Sequence, residues 1–129
     1  MSKMAERLED AAEEVHKVLG SGWSESVYHK ALIRELSGRG IAHYTEGSIT
    51  VTYKGGSVGT RRPDLFVEGG DDLPIVVELK SGSARSSGEN QLRQYMSMLS
   101  EEPTAVADIS GGALIRFGDE LDFEYFDSS

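Results

Sequence analysis

The sequence reads as an α/β protein, a mixed β-sheet carrying helices on its faces. Three observations carry that reading: two amphipathic helical stretches at the start, short alternating segments divided by Gly and Pro in the middle, and a helical stretch set between strands near the end. Met4, Leu8, Ala11, Ala12, Val15, Val18 and Leu19 recur at steps of three and four, so the first segment is a helix that ends near Gly20. SGWSESVYHKALIRELSGRG places Val27, Ala31, Leu32 and Leu36 on one stripe, with Ser21 or Ser24 as its cap and Gly38 and Gly40 closing it. IAHYTEGSITVTYK, in which Ile49, Val51 and Tyr53 alternate, then a Gly-Gly turn and TRRPDLFVEG, read together as a strand hairpin. Pro63 suits a strand start or an edge. After the turn GGDD, PIVVELK reads as a strand, SGSARSSGE as a loop, and ENQLRQYMSMLSEE as a helix with Leu92, Tyr95, Met96 and Leu99 on its apolar side, ended by Pro103. TAVADIS, GALIRFG and LDFEYF complete the chain as three short strands.

The 129 residues form one domain, 1–129, with no internal repeat and no linker. No apolar run approaches the roughly 18 to 20 residues of a membrane span, and the acidic, amphipathic N-terminus is unlike a signal peptide, so a soluble, cytoplasmic chain with no membrane partner is expected. With no cysteine there is neither a disulfide framework nor a thiolate zinc site, and His16, His29 and His43 lack metal-ligand spacing. Any metal must be held by oxygen. The net charge of −9 opposes nucleic acid, but it is unevenly spread: −2 over residues 1–53, 0 over 54–100 and −7 over 101–129. The central segment is neutral and carries Arg61, Arg62, Arg85 and Arg93, each a candidate phosphate contact or a solvated charge. An acidic excess with Arg outnumbering Lys also fits a protein adapted to high salt.

The run PIVVELKSG holds the main anomaly. Ile75, Val76, Val77 and Leu79 belong in the middle of a sheet, yet Glu78 and Lys80 put full charges among them. Alternate strand residues share a face, which sets these two charges about 7 Å apart at a rise of roughly 3.3 Å per residue. An ion pair at a sheet end is the plain explanation. RRPDLF upstream adds a third charge: if Pro63 to Val67 pairs with the following strand across GGDD, Asp64 lies level with Glu78. Two close carboxylates raise each other's pKa unless a cation stands between them. Oxygen ligands favour Mg²⁺ or Mn²⁺ over zinc, and such an ion supplies the chemistry of phosphodiester hydrolysis.

Pro63-Asp64 followed by Glu78-Leu79-Lys80 resembles the signature of the PD-(D/E)xK nuclease superfamily. Gly22-x-x-Glu25-x-x-Tyr28 resembles the motif of its small GxxExxY branch, and Gln91-x-x-x-Tyr95 is similar to the helix motif that follows ExK there and in RecB-like nucleases. The four motifs, in order, cover residues 18–117. The resemblance implies a restriction-endonuclease-like sandwich, its central mixed sheet flanked by helices in the core order αβββαβ. It implies that Glu25, Asp64, Glu78 and the carbonyl of Leu79 hold Mg²⁺ or Mn²⁺, Glu25 directly or through water. Lys80 would be the catalytic lysine, with Gln91 orienting it or a phosphate, and Tyr28 and Tyr95 in support.

The expected function is a metal-dependent DNA nuclease, DNA being preferred to RNA on the resemblance alone. One alternative is a structure-selective endonuclease like the junction resolvases, which act as symmetric homodimers because two strands are cut at related positions. Another is a module that keeps the fold and binds nucleic acid without cleaving. A third is an interaction domain whose acidic end, DELDFEYFDSS, docks on a basic partner or mimics DNA. Trp23, between Gly22 and Ser24, is either a core plug or a stacking surface, the core being the commoner place for such a residue.

Overall fold

Two serines start the helices. The computed structural model of the protein describes residues 2–45, 47, 49–69, 72–82 and 111–127. Helix α1 (Lys3–Leu19) begins where Ser2 Oγ accepts from the Ala5 amide at 3.1 Å, and ends where Gly20, at φ 73°, donates to the His16 carbonyl. Its buried stripe is Ala5, Leu8, Ala11, Ala12 and Val15. Val18, expected on that stripe, is 70% exposed, because the row Leu8, Ala12, Val15 continues to Leu19 and leaves Val18 on the flank. Helix α2 (Glu25–Gly38) is capped by Ser24 rather than Ser21. Tyr28, Leu32 and Leu36, one every four residues, are fully buried, so Tyr28 rather than Val27 leads the stripe.

Strand β1 (His43–Tyr44) is followed by a hairpin of β2 (Ile49–Tyr53) and β3 (Gly56–Arg61), which forms a separate two-stranded sheet. The sequence reading joined this first arm to TRRPDLFVEG, but the hairpin closes within itself. Its two-residue turn is Lys54 and Gly55, with φ of 50° and 82°, the left-handed pair that matches strand twist in a tight hairpin. The expected Gly-Gly turn is thus displaced by one residue. Val58 is left unpaired where the register shifts opposite Val51 and Thr52, and it is exposed.

The main sheet adds β4 (Leu65–Gly69), β5 (Asp72–Ser81), β6 (Gly111–Phe117) and β7 (Leu121–Asp127), in the order β1-β4-β5-β6-β7. Neighbours are antiparallel except β5 and β6, which run parallel, so the sheet is mixed as expected. A parallel pair requires a crossover connection. The expected helix over 89–102 and the strand TAVADIS fall in that connection, with Arg85, Gln91, Arg93 and Tyr95, and lie outside the described residues.

One face of the sheet takes both helices. Leu65, Val67, Ile75, Val77, Leu79, Ala113, Ile115 and Phe117 pack against the helix stripes, and Tyr28 stacks on Phe117 with ring centroids 4.4 Å apart and planes 7° from parallel. Strand alternation turns Val76, Glu78 and Lys80 to the opposite face, beside Leu114 and Arg116 in register. Arg116, only 5% exposed, is compensated by Asp122 and Glu124 on β7. Truncating Leu32→Ala should lower stability by roughly 2–5 kcal/mol in urea unfolding, while Val18→Ala should stay within about 0.5 kcal/mol. Equal losses at the two positions would contradict this assignment of the core.

Candidate active site

The β4–β5 ladder builds the site. Leu65 pairs with Val77, Phe66 with Val76 and Val67 with Ile75, and one further step sets Asp64 opposite Glu78. This is the alignment that counting across the GGDD turn predicts. Asp64 stands just before β4 starts, so its side chain takes over the ladder: Oδ2 accepts from the Leu79 amide at 2.7 Å. Buried Pro63 brings the chain into this position and offers no amide of its own.

Glu78 is 4% exposed, and its Oε1 has no hydrogen-bond partner. Burial first, and then the charge of Asp64 and a hydrogen bond to it, push the Glu78 carboxyl up to about 8, against a smaller opposing pull from Lys80. Lys80, half-buried, lies two residues on along the same strand face. The pairing is therefore not a simple Glu–Lys ion pair. Burial and the neighbouring carboxylate outweigh the lysine.

Glu25 enters from the first position of α2, where the helix dipole favours an acid. It lines a cleft of about 240 Å³ with Ser26, His29, Asp64 and Leu79. The residue as a whole is exposed, but its carboxyl feels the cleft: burial raises its pKa, Lys80 lowers it and Asp64 raises it again. His29, set aside in the sequence for want of metal-ligand spacing, is one helical turn from Glu25, and its Nε2 is buried without a partner. The i, i+4 step from Glu25 was the available signal.

Tyr28 is a core residue whose hydroxyl donates to the Gly20 carbonyl at 2.5 Å, so it fixes the loop ahead of Glu25 instead of touching the cleft. Arg62 is exposed just before Pro63. Arg61 ends β3, and its side chain lies outside what is described, as do Arg85, Gln91, Arg93 and Tyr95 altogether.

The chemistry of these groups suits a hard divalent cation: carboxylates, a main-chain carbonyl at Leu79, and a buried carboxylate oxygen without a donor. Among the described residues, no group of three His, Cys, Asp or Glu side chains that could hold a metal is found. Mg²⁺ needs fewer, since it is commonly held through one or two carboxylates with waters completing the shell. The pair Asp64 and Glu78 meets that requirement.

A family model described as the PD-(D/E)XK nuclease superfamily matches residues 2–125. The crystal structure of SSO0001 is similar in fold, with a TM-score of 0.55 at 19% sequence identity; the match covers 96% of this chain and 62% of that one. No curated protein matches the sequence. No helix among the described residues is long and apolar enough to cross a membrane.

The raised Glu78 carboxyl sets a pH dependence. From its ordinary 4.5 up to about 8, the folded chain holds a proton that the unfolded chain has lost, so stability falls as pH rises through that window and levels off above it. In EDTA the Tm should fall by several degrees between about pH 6 and pH 9, since ~1 kcal/mol is roughly 4 °C for a chain of this size. Glu78→Gln should flatten most of that slope. A wild-type slope retained in Glu78→Gln would place the titrating group elsewhere.

Proposed function

The chain belongs to the PD-(D/E)XK nuclease superfamily, and on that premise we propose that it hydrolyses phosphodiester bonds of DNA with Mg²⁺ or Mn²⁺. The observation that carries the reading is Glu78, a buried carboxylate with one unpartnered oxygen, beside Asp64 and two residues from Lys80. Asp64, Glu78 and the Leu79 carbonyl would hold the cation, with Glu25 across the cleft adding negative charge or orienting water. The cation, when bound, supplies Lewis-acid polarisation of a phosphoryl oxygen and activation of water.

The side chains divide the remaining work. Glu78 would hold the cation as the carboxylate, its proton released to solvent. Lys80 donates hydrogen bonds toward the phosphoryl oxygens, where negative charge grows as water attacks, and so lowers the barrier. His29 lines the same cleft, with its Nε2 buried and without a partner, and would orient Glu25 one helical turn away. Arg61, Arg62, Arg85 and Arg93 would meet backbone phosphates, and Gln91 would orient Lys80, with Tyr95 in support. Action as a homodimer on branched DNA belongs to the resolvase-like version of this reading.

A second reading is favoured by two observations: Asp64 already accepts from Leu79, and no three-ligand group is found among the described residues. The chain would then bind nucleic acid without cutting it. Nicking and degradation of plasmid, linear and branched DNA with Mg²⁺ or Mn²⁺, across a range of salt, separates the two. The hydrolytic reading predicts cleavage abolished by EDTA and reduced at least ~100-fold in Glu78→Ala and in Lys80→Ala, the loss expected when one stabiliser of transition-state charge is removed. A folded wild type that cuts no substrate with any of these ions would leave the binding module.

A further inference from the structure

A second pocket, of about 360 Å³, lies between the loop ahead of α2 and the end of β5. Three segments wall it: Gly22 and Trp23 ahead of α2, Ser81 and Gly82 at the end of β5, and Phe117 with Asp119 at the β6–β7 turn. Trp23 lies two residues before Glu25, and Ser81 follows Lys80, so pocket and cleft share the ends of α2 and β5. Its volume falls within the ~300–1,000 Å³ typical of small-ligand sites.

Trp23 is 50% exposed, against the expectation that places it in the core. It is nevertheless held. Its indole Nε1 donates to the Leu19 carbonyl at 2.8 Å, and its amide donates to the Tyr28 hydroxyl at 3.4 Å. Tyr28 is itself fixed by its stack on Phe117 and its bond to Gly20. The polar edge of the indole is thus engaged by the chain, and what remains for a ligand is apolar ring surface. Gly22 and Gly82 have φ of 97° and 87°, and a Cβ at either would meet only open space, so the wall is bare backbone by conformational need.

The pocket's charge selects its occupant. Among the described residues its lining contains no cation and one carboxylate, Asp119. A phosphate would be repelled. A nucleobase is neutral, offers a π face to Trp23, and carries exocyclic amino donors that a carboxylate accepts. A base inside a duplex has both faces covered by its neighbours, so only an unpaired or extruded base can stack on a protein ring.

We propose that this pocket binds an unpaired nucleobase stacked on Trp23, at the end of β5, the strand that carries Glu78 and Lys80 and the phosphate they would hold, so that the substrate is single-stranded or locally unpaired nucleic acid. The placement beside a phosphate rests on the nuclease reading; the base pocket itself does not.

Trp23 is the only tryptophan of the chain, so its emission reports the pocket alone. Wild-type protein in EDTA and low salt is titrated with a single-stranded oligonucleotide, an abasic strand of equal length and a blunt duplex. The base-bearing single strand should quench Trp23, and the other two should not. By fluorescence anisotropy of labelled strands, Trp23→Ala should bind the single strand about tenfold more weakly, as for loss of one stacked base, while Trp23→Phe keeps most of the affinity; circular dichroism confirms that both variants are folded. Equal quenching by the abasic strand, unchanged affinity in Trp23→Ala, or no response to any strand would overturn the proposal. Metal-dependent cleavage is scored separately: cleavage with a silent Trp23 rejects the base pocket alone, and quenching without cleavage keeps the pocket and rejects the hydrolytic reading.

Discussion

The site depends on one constraint, a carboxylate placed in the centre of a sheet where nothing in the chain fully satisfies it. Glu78 sits on β5, the middle strand of the five, with β4 on one side and β6 on the other, and its alternation with Val77 and Leu79 fixes which face it takes. Val77 and Leu79 are locked into the helix-packed core. Glu78 cannot turn outward without pulling them out. The energy of burying that core therefore holds the carboxyl in a place it would otherwise avoid.

The surroundings answer the constraint in part. Asp64 caps the ladder at Leu79 and comes level with Glu78, which sharpens the repulsion instead of relieving it. Lys80 pulls the Glu78 carboxyl down, but burial, Asp64 and Glu25 all push it up and outweigh the lysine. Contrast Arg116, equally buried one strand away, whose guanidinium meets two carboxylates of β7. The chain compensates a buried charge where the role is structural. At Glu78 it leaves an oxygen open, the arrangement expected where the missing partner comes from outside.

Much of this was legible in the sequence, for local reasons. Helix spacing marks α1 and α2, with Ser21 or Ser24 as the cap of α2, and the run of Ile75 to Leu79 marks a buried strand whose charges stand out. The Asp64–Glu78 alignment followed from a turn count, and it held although a register shift between Val67 and Gly69 lies in that turn. What failed depends on partners chosen at a distance. Alternation in Ile49–Tyr53 shows a strand but not its mate, so the expected hairpin has Gly56–Arg61 as its second arm and stands apart from the main sheet. Trp23 reads as core because size favours burial, yet its ring is half exposed, with the indole Nε1 tied to the Leu19 carbonyl. His29 was discarded on spacing to other histidines, when its relevant neighbour was an acid one turn away.

Direct titration of the protein with Mn²⁺, followed by electron paramagnetic resonance of the free ion at about pH 6 and pH 8.5, tests the central claim that an external cation satisfies Glu78. Ligation requires the deprotonated carboxylate, so the wild type should bind Mn²⁺ more tightly at the higher pH, as the group pushed up to about 8 ionises. Asp64→Asn and Glu78→Gln should each lose that binding. Affinity that is independent of pH and unchanged in both variants would show that these carboxylates hold no cation, and that the open oxygen of Glu78 serves another end.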